Sequence, residues 1–294
     1  MEISSLLKNC FIVVDKPRGP PSAQVGNWVR DIVNVEKSGH IGTLDPAVSG
    51  VLIIALGKAV KLSKFLSGQD KEYIAIMQLH SKVSEDRIRS VFKQFTGDIQ
   101  QMPPLRSAVA KKIRTRTIYK MQILDIKERQ VLFKIKCQGG TYVRKLIFDM
   151  GKKLGCGANM LELRRSKSGK VNESEAHSIY EIKDAYWLYK EKNNSSKLLK
   201  MLRSPEEMLD FLPIVKVKNT AVPSIAYGSP IYRRAILQEY DFKTDSFVRV
   251  YSEDNMFLCT AKIINGPEMF AKIDVNLLDK EEFNKKWKIK EQGN

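Results

Sequence analysis

The chain has 294 residues, 43% of them hydrophobic and 28% charged, which suffices for a sizeable core and for more than one but fewer than three average domains. Its 50 Lys and Arg exceed its 33 Asp and Glu, and the formal net charge of +17 favours a polyanionic partner without separating DNA, RNA and an anionic membrane. No apolar run reaches the ~18 residues of a membrane-spanning helix, and residues 1–10 lack a secretion signal, so we expect a cytoplasmic protein with no membrane partner.

The first predicted elements enclose a glycine-rich segment. Residues 11–14 predict a short buried strand that runs into a loop rich in Pro and Gly. A helix capped by Ser22 follows, with its apolar residues on one face. The polar, glycine-rich residues 38–46 come next and are predicted to form a loop. Residues 50–56 then suit a buried strand.

Strand and helix patterns mix irregularly through the middle of the chain. The predicted helices are 58–66, 85–95, 141–154 and 179–192, and the predicted strands are 71–80, 118–126, 131–137 and 161–166. This mixture favours an α+β fold, with a mixed or antiparallel central sheet and flanking helices, over a doubly wound sheet.

The pattern changes at Pro213. A short helix is predicted at 205–212, and beyond it short β segments are interrupted by Pro and Gly. They indicate a small, β-barrel-like domain. We therefore predict a domain at 1–212 and a second one at 213–294.

Cysteine and histidine spacing argues against a metal site. The four cysteines form no CxxC pair and the three histidines share no short spacing. The motifs of nucleotide hydrolysis, dinucleotide binding and zinc hydrolysis are absent from the sequence. We expect neither a metal nor an organic cofactor.

Asp45, at the end of the glycine-rich segment, is the first candidate for chemistry. Gly39 and Gly42 permit backbone conformations that other residues resist, and Pro46 pushes Asp45 out of the helical region. An acidic side chain so placed beside an apolar strand is a candidate active-site carboxylate. A turn aspartate that bonds its own backbone fits the same residues, and the residues alone favour that simpler interpretation.

Two further candidates are Arg144 and Tyr73. A glycine pair at 139–140 and a cap by Thr141 would place Arg144 rigidly at a helix start, ready to pair with a carboxylate. An ordinary surface arginine is the alternative. Tyr73, near a strand end, fits a core position as well as an aromatic platform for a base.

Basic residues cluster in two acid-poor segments, 111–116 and 164–170. A run of charges is ordinarily a solvated face. Several runs in one chain favour a track for phosphates.

Six segments in order resemble the TruB-type pseudouridine synthases, most closely their archaeal and eukaryotic H/ACA, or dyskerin-like, branch. The segments are VDKPRG at 14–19, GHIGTLDP at 39–46, KEY at 71–73, PPLRSA at 103–108, GTYVR at 140–144 and LELRR at 161–165. The octet is specific by itself, and six segments in family order make chance implausible. The tail from Ile214 resembles a PUA domain, which is an RNA-binding β-barrel.

The resemblance implies a pseudouridine synthase fold and an isomerase that needs no metal or cofactor. By this resemblance Asp45 is the catalytic carboxylate, Tyr73 stacks on the target uracil and assists proton transfer at C5, and Arg144 pairs with Asp45.

The resemblance also assigns supporting roles. Leu163 would line the pocket, and Lys16 and Pro17 would support the loop of Asp45. His40 would contact RNA beside the flipped-out base. Residues 103–116 would form a mobile thumb that closes over the RNA. The cations of this thumb are Arg106, Lys111, Lys112, Arg114 and Arg116.

The implied function is isomerisation of uridines in rRNA or tRNA by the catalytic subunit of an H/ACA guide ribonucleoprotein. Its partners would be a box H/ACA guide RNA, the substrate RNA and the small proteins of that particle. A stand-alone tRNA uridine-55-type synthase and a non-catalytic RNA-binding scaffold are the alternatives. The trio Asp45, Tyr73 and Arg144 argues against the scaffold. A PUA-bearing methyltransferase would need a Gly-rich cofactor loop, which the sequence lacks.

Overall fold

The structure, a computed structural model, describes residues 3–102 and 112–278. The chain divides into two compact units, Met1–Arg203 and Ser204–Asn294. Each unit encloses a hydrophobic core of its own. No helix in the described ranges is long and apolar enough to cross a bilayer.

The first unit is built on one large sheet. Its strands within the described residues are β1 (Asn9–Lys16), β2 (Ser38–Ile41), β3 (Ser49–Gly57), β4 (Lys71–Leu79), β5 (Gly97–Gln101), β6 (Arg114–Lys127), β7 (Gln130–Cys137), β8 (Ala158–Ser168), β9 (Val171–Asn172) and β10 (Leu202–Arg203). The order is β10-β1-β3-β8-β4-β7-β6-β5, with β2 paired to β3 and β9 to β8. Strands β3 and β8 are parallel, whereas β4 is antiparallel to both β7 and β8. The sheet is therefore mixed, as predicted.

Helices flank this sheet. They are α1 (Ile3–Leu7), α2 (Ser22–Ile32), α3 (Ser63–Ser67), α4 (Glu85–Gln94), α5 (Val143–Leu154), α6 (Ile179–Lys192) and α7 (Ser196–Met201). Helix α5 ends where Gly155 adopts the left-handed conformation. Helix α6 begins at a capping box of Ser178 and Glu181 and ends at a left-handed Asn193. Helices α2, α4, α5 and α6 bury apolar residues in one core with the sheet.

The first unit differs from the prediction in three places. Residues 38–41 form a strand because they pair with β3, which satisfies their backbone groups, whereas a loop was expected. The helix predicted at 58–66 is a 3-10 turn at Lys58–Leu62 followed by α3. Strand β5 is polar and lacks an apolar pattern, so its pairing with β6 is what defines it.

The second unit contains a smaller sheet. Its helices within the described residues are α8 (Pro205–Met208) and α9 (Val222–Ala226), and its strands are β11 (Ile214–Val217), β12 (Ile231–Tyr232), β13 (Phe247–Ser252), β14 (Phe257–Ile263) and β15 (Met269–Asn276). The strand order is β11-β13-β14-β15-β12. The sequence pattern does not predict β15, in which charged residues interrupt the apolar ones.

Residues 204–212, which include α8, belong to the second unit, whereas the predicted boundary lies after residue 212. The guanidinium of Arg249, on β13, donates hydrogen bonds to the backbone carbonyls of Glu206, Asp210 and Leu212 at 2.9–3.2 Å. These bonds also explain why the helix predicted at 205–212 ends at Met208, because the carbonyls of Asp210 and Leu212 accept from Arg249 instead of from helix N–H groups.

Candidate active site

Asp45 lies on the loop between β2 and β3. Gly42 enters this loop at φ +70°, and the Asp45 carbonyl accepts a hydrogen bond from the Val48 N–H at 2.9 Å, which closes a turn. The Asp45 side chain is 48% exposed, and its Oδ2 lies 3.3 Å from Nη1 of Arg144. The structure thus brings together the predicted carboxylate and its predicted partner.

Two buried side chains anchor this loop. The Lys16 ammonium donates hydrogen bonds to the carbonyls of Pro17 and Pro46, at 2.7 and 3.3 Å. Burial lowers the Lys16 pKa, and the nearby Asp45 charge partly opposes this shift. The Ser22 hydroxyl donates to the Leu44 carbonyl and accepts from the Leu44 N–H, both at 2.9 Å.

The predicted cap by Ser22 is wrong. The N-cap of α2 is Pro21, with no side-chain cap bond, and the Ser22 hydroxyl is engaged by the residue before Asp45. Sequence analysis missed this role because a serine at a helix start has an obvious local explanation. Nothing in the local pattern points to a partner 22 residues away.

Arg144 lies in the first turn of α5. The predicted cap by Thr141 is also wrong, because α5 has Tyr142 as its N-cap and the Thr141 hydroxyl donates to the Gln138 carbonyl at 2.7 Å. The Arg144 side chain is 57% exposed. An ion pair this exposed adds little stability, so its main effect is to orient the carboxylate.

Gln101 holds the backbone that precedes Arg144. Its amide oxygen accepts from the Tyr142 N–H at 3.0 Å and its amide nitrogen donates to the Tyr142 carbonyl at 3.2 Å. Gln101 ends β5 and is only 3% exposed. A buried amide with both groups satisfied fixes a backbone direction. The sequence does not reveal this role of Gln101, because β5 is polar and has no apolar alternation.

Tyr73, Leu163 and Arg165 lie on the inner face of the sheet. Tyr73, on β4, and Leu163, on β8, are both buried. Arg165, two residues along β8, is the cross-strand partner of Tyr73, and its Nε donates a hydrogen bond to the Val51 carbonyl at 2.7 Å. Burial raises the Tyr73 pKa, against the opposing effect of the Arg165 charge.

The predicted phosphate track at 164–170 is wrong for its two arginines. Arg165 is buried, and Arg164, which alternates to the opposite face, donates to Asp15 at 2.9 and 3.1 Å and to Glu173 at 2.7 Å. Both guanidinium groups are therefore engaged within the unit.

His40 lies on β2 close to the loop of Asp45. Its Nε2 lies 3.0 Å from the Thr43 hydroxyl. Burial, and secondarily the charge of Arg165, lower the His40 pKa below its ordinary value of 6.5. The ring is therefore neutral at pH 7 and offers hydrogen bonds rather than charge.

The predicted thumb is only partly described. Arg106 and Lys111 lie outside the described residues, and Lys112 is exposed. Residues 114–116 are the start of β6, paired with β5, so the ladder excludes them from a mobile loop. Arg116 packs against the glycine turn before α5, since a Cβ at Gly140 would lie 3.2 Å from its Nε.

The residues described contain no group of three or more His, Cys, Asp or Glu side chains arranged to hold a metal ion. Near the Asp45 carboxylate there are instead three cations, Arg144, Lys16 and Arg165, and one tyrosine, Tyr73.

Family models match most of the first unit. The N-terminal domain of TruB family pseudouridylate synthases matches residues 30–143, and the C-terminal domain of tRNA pseudouridylate synthase B matches residues 144–210. A curated relative from Picrophilus torridus, named "Probable tRNA pseudouridine synthase B", is 44% identical over 277 residues, covering 92% of this chain and 77% of that protein. A relative of the same name from Methanocaldococcus jannaschii is 45% identical over 235 residues, covering 80% and 70%.

Solved structures are similar over nearly the whole chain. A Cbf5-Nop10-Gar1 complex contains a chain with a TM-score of 0.87 and 35% identity, covering 96% of this chain and 88% of that one. An H/ACA RNP bound to a substrate RNA containing 2'-deoxyuridine contains a chain with a TM-score of 0.85 and 33% identity, covering 96% and 89%.

Proposed function

Since this chain belongs to the TruB family of pseudouridine synthases, which are RNA-modifying isomerases, we propose that Asp45 is the carboxylate with which it converts uridine to pseudouridine. The observation that carries this proposal is the Asp45–Arg144 pair, on a loop fixed from two sides by Lys16 and Ser22. A site built this way holds the Asp45 carboxylate in one orientation, close enough to the buried Tyr73 for its charge to act on the tyrosine hydroxyl.

The chemistry requires few groups. The target nucleotide is first flipped out of the RNA at a cost of a few kcal/mol. The N1–C1′ bond breaks, the uracil turns, C5 bonds to C1′, the proton on C5 leaves and N1 gains one. A carboxylate can promote this by attacking the ring or sugar, or by removing a sugar proton. Each route needs the carboxylate fixed beside the base, which a rigid loop provides.

The remaining residues have proposed roles around this carboxylate. Tyr73 stacks on the uracil and assists proton transfer at C5, and Leu163 forms an apolar wall beside it. Their burial on one face of adjacent strands supports both roles. His40, neutral at pH 7, hydrogen-bonds RNA near the flipped base. Pro17 supports the loop through its carbonyl. The cations that approach the RNA phosphates are Arg106, Lys111, Lys112, Arg114 and Arg116.

We propose that the chain acts as the catalytic subunit of an H/ACA guide ribonucleoprotein. Its partners are a box H/ACA guide RNA and small proteins of that particle. The 96% coverage by a chain from a Cbf5-Nop10-Gar1 complex supports this. The second unit is proposed to be a PUA-type RNA-binding domain, which its separate five-stranded sheet supports. The names of the curated relatives favour tRNA as a further substrate, and stand-alone action on tRNA is the alternative to guided action.

Tritium release tests both parts. RNA carries tritium at uridine C5, and the label enters water only when C5 bonds to the sugar. The wild type is incubated with a tRNA transcript alone, and then with guide RNA, partner proteins and a target RNA. Release in the second mixture alone supports guided action, and release from tRNA alone supports the stand-alone activity. Silence in a demonstrably assembled particle would overturn the proposed function.

A further inference from the structure

Arg165 is a buried cation with no carboxylate partner among the described residues. It is 1% exposed and is among the largest fully buried side chains of the described residues. It lies beside Tyr73, its cross-strand partner on β4, and bonds the Val51 carbonyl, while its Nη2 is buried with no hydrogen-bond partner in the described part of the chain. Desolvation makes an arginine so placed costly, and an apolar side chain of similar volume would avoid that cost.

The chemistry of this contact fixes a direction. A guanidinium has only donors, so the Tyr73 hydroxyl can face its cross-strand partner Arg165 only as an acceptor. The phenol proton is then free to point away from Arg165. Tyr73 and Arg165 are cross-strand partners on β4 and β8, and the Nε bond to Val51, on β3, holds the guanidinium from its other side. Contacts with β4 and β3 thus hold the guanidinium of Arg165, on β8, beside the Tyr73 hydroxyl.

The same guanidinium touches the loop of Asp45. A Cβ added at Gly42 would lie 3.3 Å from Nη1 of Arg165, so a side chain there would crowd the guanidinium. Gly42 lies three residues before Asp45 and has φ +70°, a conformation that glycine adopts readily. Arg165 therefore packs between the tyrosine and the carboxylate loop.

We propose that Arg165 is a positioning residue that orients the Tyr73 hydroxyl within the site of Asp45. It acts through Tyr73 and does not itself touch the RNA. The inference rests on the proposed role of Tyr73 in proton transfer. Because Arg165 is sealed from solvent, its loss should slow the chemical step and leave RNA binding nearly unchanged.

A double-mutant cycle tests this inference. Single-turnover pseudouridine formation at saturating RNA is measured in the assembled, active mixture for the wild type, Arg165→Met, Tyr73→Phe and the double variant. We expect Arg165→Met to slow the reaction at least tenfold with a KM within twofold of wild type. In the Tyr73→Phe background the same change should slow it less than threefold, because the hydroxyl it directs is gone. Equal slowing in both backgrounds, or a change confined to KM, would overturn the inference.

Arg164→Met is the matched control, since it is the same change one residue away on the opposite face. We expect it to leave the rate within twofold of wild type, and a loss as large as that of Arg165→Met would count against the inference. If Arg165→Met does not fold, Arg165→Lys is used in the same cycle. It keeps a donor and a charge, and we expect a rate between that of wild type and a tenfold loss. If the cycle is additive while Asp45→Asn is inactive, only this inference fails. If Asp45→Asn is active, the proposed function fails.

Discussion

Replacement of Ser22 by alanine is the sharpest test of how the carboxylate loop is held. The Ser22 hydroxyl bonds both backbone groups of Leu44, at 2.9 Å each, and both residues are buried. Each buried group left unsatisfied costs about 1–3 kcal/mol, so the pair should cost about 2–6 kcal/mol of unfolding free energy. Since Asp45 follows Leu44 directly, the loosened loop should also misplace the carboxylate and slow single-turnover catalysis about 10–100-fold.

Urea denaturation gives the free energy of unfolding of this variant, and tritium release at saturating RNA gives its rate. Ser63→Ala is the matched control, because the Ser63 hydroxyl donates to one carbonyl of its own turn, that of Val60. It should cost about 1 kcal/mol and leave the rate within twofold of wild type. The reasoning is refuted if Ser22→Ala is no less stable than Ser63→Ala, or if it is destabilised yet reacts at the wild-type rate.

Four further substitutions have defined outcomes. Gly50→Ala should cost more than about 4 kcal/mol of unfolding free energy, because its Cβ would lie 2.2 Å from the Arg165 carbonyl at φ +100°. Gly19→Ala, with φ +112° but no atom within 4 Å, should cost only about 1–2 kcal/mol, and equal losses in denaturation would contradict this. Burial lowers the Lys71 pKa to about 8, while the unfolded chain keeps that proton to about 10.5. As the pH rises from about 8 to about 10.5, the unfolding free energy of the wild type should therefore increase by up to about 3 kcal/mol relative to that of Lys71→Met. A difference between the two proteins that does not change with pH in denaturation experiments would contradict this. Arg144→Gln should change stability by less than about 0.5 kcal/mol but slow tritium release on the order of 100-fold, whereas a normal rate would exclude Arg144 from orienting Asp45.

Local patterns were sufficient for the fold class, and the resemblance of six segments to a known family supplied the main candidate residues. Apolar periodicity predicts β4 and α6 because each buries one face, and the octet at 39–46 identifies the loop of Asp45. The Asp45–Arg144 pair was expected from resemblance, and the structure has it. The residues alone favoured an ordinary turn aspartate.

The anchors of the site could not be read in this way, because each depends on a partner far along the chain. Ser22 has the local signature of a helix cap, yet its hydroxyl bonds the backbone of Leu44. Gln101 lies on a strand without an apolar pattern, and its role is to hydrogen-bond the backbone of Tyr142. Arg165 resembles a surface cation in sequence, and only the alternation of β8 separates it from its exposed neighbour.

Asp45→Asn tests the central claim most directly. The amide keeps the size of the side chain and the fold of the loop but removes the negative charge. The variant and the wild type are compared in the same mixture by single-turnover tritium release, and by RNA affinity measured separately. We predict wild-type RNA affinity with no release above background. Release at the wild-type rate from folded, RNA-bound Asp45→Asn would show that the reaction does not depend on this carboxylate.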